Sequence, residues 1–332
     1  MAPGKDSSMS ELEDSGAIPL PLLAQTLARW IDPVAQLTQV TSADIEPGMS
    51  GASVRRYRIS YTSGGQDAVV SLVTKVATRR EWDTLRYLNA QQQPNVPFAY
   101  ALDQSDGDHL LVCMQDVGDT TRPTSLEPIT ELELEREAAG LASIHAANFE
   151  QTATLAWLPK VDRSYLEEML SERTWRPAWK QALTNHAFVE TFSSAIPRIE
   201  AAATTIVEDM TSLLDDAQAQ TLIHADINPS NVLVQQGIPY FIDWQSAMWG
   251  PLYLDLPHHH CTLAQAELYR RALAAHGYAI PPEVFATHYR VAARYIGLRY
   301  MWWTLEYWLS DPTQTAWVQH YIGLVTGDGI AA

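Results

Sequence analysis

From residue 18 onward the apolar positions change period several times. In "IPLPLLAQTLARWI", Leu20, Leu23, Leu27 and Trp30 recur at helical spacing, and Pro33 limits the segment on its far side. Residues 36–46, "SVRRYRISYT" (53–62) and "DAVVSLVTKV" (67–76) instead have strand length and pattern, and the turn "SGG" between the last two predicts a hairpin. Helical spacing returns in "REWDTLRYLNA", with Trp82, Leu85, Tyr87 and Leu88 inward. The apolar strand "HLLVCMQDVGD" then breaks at Asp116 and Gly118, which marks a seam. Beyond it the pattern is mostly helical: "ITELELEREAAGLASIHAANF", then residues 163–172, 187–214, 262–276 and 282–309. The exception is a pair of short strands around residues 221–243.

This order predicts an α+β protein in two lobes. Residues 18–118 form a lobe with a leading helix and a small antiparallel sheet, and residues 119–332 form a larger, mainly helical lobe carrying one polar hairpin. The start, "MAPGKDSSMSELEDSG", has no basic n-region and no apolar h-region, so residues 1–17 read as a frayed tail and not as a secretory signal.

Charge narrows the function. The chain has 22 basic and 39 acidic residues, a net charge of -17, which argues against nucleic acid because phosphate contacts need a basic surface. The same imbalance suits either a cationic substrate or plain solubility. Cys113 and Cys261 lack the spacing of a zinc site or a disulfide framework, so a reducing cytoplasm is expected. The aromatic stretch "ARYIGLRYMWWTLEYWL" (293–309) contains Arg294, Arg299 and Glu306, which are expensive in lipid, so it reads as a buried helix and no membrane partner is expected. "ELELERE" (131–137) reads as a solvated helix face, and the consecutive His258, His259 and His260 point in different directions, unsuited to chelating one ion.

The candidate chemistry lies in "LIHADINPSNVLV" (222–234) and "FIDWQ", where Asp226, Asn231 and Asp243 interrupt apolar runs. Turn chemistry alone would explain Asp, Asn and Pro in a loop. Strands flanking the loop, however, return Asp243 to the same end as Asp226 and Asn231. Phosphoryl transfer needs a held triphosphate, neutralised charge and an oriented hydroxyl. Mg²⁺ prefers oxygen ligands, which Asp243 and Asn231 supply, and Asp226 can then accept the hydrogen bond of an acceptor hydroxyl.

These residues resemble the catalytic loop and metal-binding Asp of the aminoglycoside phosphotransferase and choline kinase-like small-molecule kinases, which share the protein kinase-like fold. The resemblance implies that His224 and Asp255 support the loop and that His145, in "LASIHAANF", is the family's helix histidine. It also implies that Gly48, Ser50 and Gly51 in "EPGMSGASVRRYRI" cover the nucleotide, that Lys75 contacts its phosphates and that Glu81 pairs with Lys75. Gln115 and Val117 would bond the adenine edge through the main chain, with Met114 nearby. Where the family often has Glu two residues after the metal-binding Asp, this chain has Gln245.

The implied function is ATP- and Mg²⁺-dependent transfer of the γ-phosphate to a hydroxyl of a small molecule. An aminoglycoside, another cationic antibiotic, an amino alcohol and a sugar are all open as acceptors. Asp162, Tyr165, Glu168 and Trp249 fall in the segments that build acceptor pockets in this family. Two alternatives stand beside this reading: a catalytically silent nucleotide-binding module, and a protein kinase, for which the step from Asp243 to Asp255 is short.

Overall fold

The structure is a computed structural model and describes residues 20–45, 53–106, 109–124, 126–171 and 174–330. Residues 1–17 and the expected nucleotide loop at Gly48, Ser50 and Gly51 lie outside the described residues. The chain divides into two compact units, residues 1–86 with 98–116 and residues 87–97 with 117–332.

The first unit opens with α1 (Leu20–Thr26), which continues as a π turn over Leu27–Ile31. Leu23 and Leu27 pack into a core with Tyr57, Ile59, Leu72 and Cys113. Leu20 and Trp30, expected on the same stripe, are 59% and 44% exposed. Leu20 sits at the first helical position, and the wider i→i+5 turn swings Trp30 off the stripe.

Then come β1 (Gln36–Ile45), β2 (Val54–Ser63), β3 (Gln66–Ala77), α2 (Arg79–Ala90, of which residues 87–90 belong to the second unit), β4 (Ala99–Asp106) and β5 (His109–Gln115). The five strands form one antiparallel sheet in the order β1-β2-β3-β5-β4. Gly64 and Gly65, at φ 56° and 82°, make the two-residue turn that lets β2 and β3 pair in register from Ser63 and Gln66 onward. Strand β4 escapes the hydrophobic pattern because it is an irregular edge strand with two register shifts, so its sequence need not be apolar on both faces. In α2, Trp82, Leu85 and Leu88 are buried and Tyr87 is half-buried.

The second unit is mainly helical. Its elements are α3 (Glu131–Asn148), α4 (Arg163–Met169), α5 (Trp175–Thr184), α6 (His186–Thr191), α7 (Ile196–Asp215), β6 (Gln220–Ile223), β7 (Val232–Gln235), β8 (Ile238–Phe241), β9 (Met248–Pro251), α8 (Leu263–Ala275), α9 (Pro282–Ser310) and α10 (Thr315–Thr326). The single helix expected over 187–214 is two helices: Asn185 caps α6 through Phe188 N, and Pro197 starts α7 where its missing N–H is harmless. Helices α5 and α10 were not expected. α10 packs against α9 at Gly297, where a Cβ would lie 2.7 Å from Val325 Cγ2 and 3.0 Å from the Tyr321 carbonyl. Among the described residues no helix is long and apolar enough to cross a membrane.

The expected solvated face of "ELELERE" needs one correction. Glu137 is only 3% exposed, because it follows Leu134 by three residues and so shares an inward stripe with Leu134, Ala138 and Leu141. Arg122 Nε donates to Glu137 Oε2 at 2.7 Å and His259 Nδ1 donates to Oε1 at 2.5 Å, while Arg122 Nη2 also reaches the His259 carbonyl at 3.0 Å. Burial alone would raise the Glu137 carboxyl, but His259 and Arg122 outweigh it and hold it down at about 2. A depressed folded-state pKa adds stability above the unfolded value that is lost as pH falls through the folded one. We therefore expect Glu137 to stabilise the fold at neutral pH, a contribution lost as pH falls below the ordinary carboxylate range. Urea titrations of the wild type and Glu137→Gln across this range should converge toward acid; parallel curves would contradict the assignment.

Candidate active site

In the first unit β3 ends at Ala77 and α2 begins at Arg79, so Thr78 alone makes the corner. That tight connection brings Lys75 Nζ within 2.8 Å of Glu81 Oε1 despite a separation of six residues. The pair is buried, Lys75 at 9% and Glu81 at 2% exposure, and each charge compensates the desolvation of the other. Gln115 ends β5, where its N–H donates to the Phe98 carbonyl at 2.9 Å and its Oε1 accepts from Phe98 N at 3.4 Å. Asp116 beside it is gripped by Arg56, at 2.8 and 3.1 Å, and by Ser71 Oγ at 2.5 Å. Val117 belongs to the second unit and is 4% exposed.

The second unit builds the polar loop from the backbone outward. Strand β6 pairs with β9, a strand the sequence did not announce, while β7 and β8 form the hairpin. After β6 the chain turns sharply: Ala225 has φ 63°, a left-handed conformation that β-carbon sterics disfavour. Asp255 holds it there, its Oδ2 accepting the His224 N–H at 2.7 Å and its Oδ1 the Ala225 N–H at 2.8 Å. Asp255 is 1% exposed, and its remaining neighbour is His145, whose Nε2 lies 3.3 Å from Oδ2 while Nδ1 accepts from Tyr269 at 2.7 Å.

Asn228 and Pro229 then turn the chain so that Asn231 Nδ2 donates to the Asp226 carbonyl at 2.9 Å. Two bonds tie in the segment before Asp243: Ile242 N donates to the Asn231 carbonyl at 2.9 Å, and His224 Nε2 donates to the Ile242 carbonyl at 2.7 Å. His224 is therefore a brace, its ring 4.6 Å from that of Trp244. Asp243 sits at φ 64°, ψ 56°, a region Asp tolerates better than most residues, and Gln245 Nε2 donates to its Oδ2 at 3.3 Å. The loop thus joins Asp226, Asn231 and the residue preceding Asp243 in one hydrogen-bonded knot. Asp226 and Asp243 are half-buried and Asn231 is 8% exposed.

Sequence reasoning missed Tyr300. From α9, its hydroxyl donates to Asp226 Oδ1 at 2.7 Å. Arg299 lies over the rings of Tyr300, at 4.9 Å, and Tyr165, at 5.7 Å. The available signal was Arg299 itself, a charge inside an aromatic run that needs polar company. Of the acceptor-segment residues, Asp162 caps α4 by accepting from Tyr165 N at 2.8 Å, Trp249 is 8% exposed, and Glu168 is exposed. His258, His259 and His260 are all buried, His258 edge-on to Tyr300 and His259 on Glu137.

Among the described residues no cluster of three or more His, Cys, Asp or Glu could hold a metal. The donor set present is one carboxylate, Asp243, and one amide, Asn231, whose Nδ2 is engaged so that Oδ1 is the atom able to ligate. That set fits Mg²⁺, which keeps waters and substrate phosphates as its remaining ligands.

A family model described as the phosphotransferase enzyme family (APH) matches residues 44–291. The chain belongs to this phosphotransferase enzyme family. Solved structures share the fold at low identity. The aminoglycoside phosphotransferase of Alicyclobacillus acidocaldarius aligns with TM-score 0.59 at 17% identity, covering 96% of this chain and 95% of that one. AMP-bound spectinomycin phosphotransferase APH(9)-Ia aligns with TM-score 0.55 at 14% identity, covering 81% and 90%. Choline kinase LicA of Streptococcus pneumoniae aligns with TM-score 0.50 at 12% identity, covering 92% and 98%. No curated protein matches the chain. As a member of the family it is a phosphotransferase, and its mixed fold of a five-stranded antiparallel sheet and a larger helical part is that of small-molecule kinases.

Proposed function

We propose that this phosphotransferase moves the γ-phosphate of ATP to a hydroxyl of a small molecule in the cytoplasm, with Asp226 facing the acceptor. The observation that carries this reading is the hydrogen-bonded knot that fixes Asp226, Asn231 and the approach to Asp243 together. In the proposal, Asn231 Oδ1 and Asp243 hold Mg²⁺, which when bound neutralises phosphate charge. Lys75, kept in place by Glu81, contacts the phosphates, and the main chain at Gln115 and Val117 takes the adenine edge. The family resemblance assigns the covering of the nucleotide to Gly48, Ser50 and Gly51, which lie outside the described residues. Asp226 accepts the hydroxyl proton of the acceptor as the acceptor's oxygen bonds the γ-phosphorus and the bond from that phosphorus to the ADP oxygen breaks.

The acceptors suggested by the similar structures are spectinomycin, aminoglycosides and choline. The test is Mg²⁺-dependent ADP release by the purified protein against spectinomycin, hygromycin B, macrolides, choline-like amines and sugars. Release stimulated by one class names the acceptor. The reading fails if Mg·ATP neither binds nor is consumed under any of these conditions.

A further inference from the structure

Helix α9 delivers one polar atom to the candidate loop. Tyr300 Oη lies 2.7 Å from Asp226 Oδ1 and 3.4 Å from the Ala225 carbonyl. A phenol carries one proton, so the shorter contact takes it and Tyr300 donates to the carboxylate. The loop's other bonds hold its backbone: Asp255 takes the N–H groups of His224 and Ala225, and Asn231 takes the Asp226 carbonyl. None of them touches the Asp226 carboxylate. Among the described residues, the hydrogen bond to that carboxylate comes from Tyr300, and the Arg299 guanidinium also attracts it.

Tyr300 is itself held. Arg299 lies 4.9 Å from the centre of its ring, and His258 meets the ring edge-on at 4.2 Å and 82°. Arg299 also covers Tyr165 at 5.7 Å, so the guanidinium is fixed between two aromatic faces. Burial, with Asp226 close by, raises the Tyr300 hydroxyl well above the usual value for tyrosine, so it stays a donor at physiological pH. A cation over the ring draws electron density from it and strengthens that donor.

We propose that Tyr300 is a positioning residue: it occupies Oδ1 of Asp226 and thereby presents Oδ2 as the oxygen that receives the acceptor's hydroxyl. The inference rests on Asp226 facing the acceptor, as proposed above. In the transfer, the acceptor oxygen bonds the γ-phosphorus as the bond from that phosphorus to the ADP oxygen breaks. The hydroxyl proton passes to Oδ2 and then to solvent, and Tyr300 keeps its own proton throughout.

The experiment measures ADP release from Mg·ATP with water as the acceptor, for the full-length wild type, Tyr300→Phe, Asp226→Ala and the double variant. Loss of a positioning bond should lower kcat roughly 10-fold in Tyr300→Phe while the KM for ATP stays within about twofold. In the Asp226→Ala background the same change should have no further effect, a coupling that a merely structural role would not produce. Melting temperatures report folding. If the Phe variant does not fold, 3-fluorotyrosine placed at position 300 keeps the shape, and it should alter kcat only where Asp226 is present. Unchanged or increased kcat in Tyr300→Phe, or an equal loss in both backgrounds, overturns the positioning role alone. A wild type that neither binds nor consumes Mg·ATP, with water or with any of the acceptors named above, overturns the phosphotransfer reading and this inference with it.

Discussion

Asp226→Ala is expected to lower kcat by roughly 10²- to 10⁴-fold, the range typical of a removed general base, while Mg·ATP affinity changes little. The separation follows from what each part of Asp226 touches. Its carbonyl takes the Asn231 amide at 2.9 Å, a bond that survives truncation of the side chain. Its carboxylate meets Tyr300, and the two bonds that shape the loop run from Asp255 to residues 224 and 225. Truncation therefore removes the group that would face the acceptor and leaves the proposed metal-holding pair in place. Asp226→Asn should lose comparable turnover, since an amide can keep the contact with Tyr300 but cannot take a proton. Asp243→Ala should behave differently, weakening Mg·ATP binding itself. Steady-state ADP release together with nucleotide titration distinguishes these outcomes, and turnover by Asp226→Ala within tenfold of the wild type would remove Asp226 from the proposed role.

Local signals account for what was legible beforehand. The hairpin at Gly64 and Gly65 could be read because two consecutive positive φ values suit glycine and little else. Asp226, Asn231 and Asp243 stood out because polar groups interrupted apolar strands, an arrangement packing alone does not ask for. What escaped depends on distant partners. Strand β6 pairs with β9, four residues following a 3-10 turn, and nothing in "MWGP" announces a strand until β6 is beside it. Glu137 resembles its solvated neighbours until Arg122 and His259 are seen to close on it. Tyr300 lies 74 residues from Asp226 within an aromatic run whose other members, such as Tyr295 and Trp308, are ordinary core. Its hydroxyl is set apart only by where α9 crosses the loop.

The deepest dependence of the loop on distant residues is at Asp255, where Asp255→Ala is expected to reduce both stability and turnover. The substitution leaves two backbone N–H groups, of His224 and Ala225, buried without an acceptor, and unsatisfied donors of this kind cost about 1–3 kcal/mol each. Because both bonds end on a buried carboxylate and His145 also loses its neighbour, the total destabilisation should be about 3–6 kcal/mol. Turnover should fall for a separate reason. Ala225 at φ 63° is a conformation that persists only when the surroundings enforce it, and Asp255 is what enforces it. Released, Ala225 relaxes toward negative φ and carries Asp226 away from Tyr300 and from Asn231. Asp255→Asn keeps one carbonyl acceptor and should fall between the wild type and Asp255→Ala in both properties. Urea unfolding paired with ADP release tests this, and the informative contrast is with Asp226→Ala, which should lose rate while keeping its stability. If Asp255→Ala unfolds at the wild-type urea concentration, the bonds to residues 224 and 225 do not hold the loop, and the positive φ of Ala225 must be enforced by packing instead.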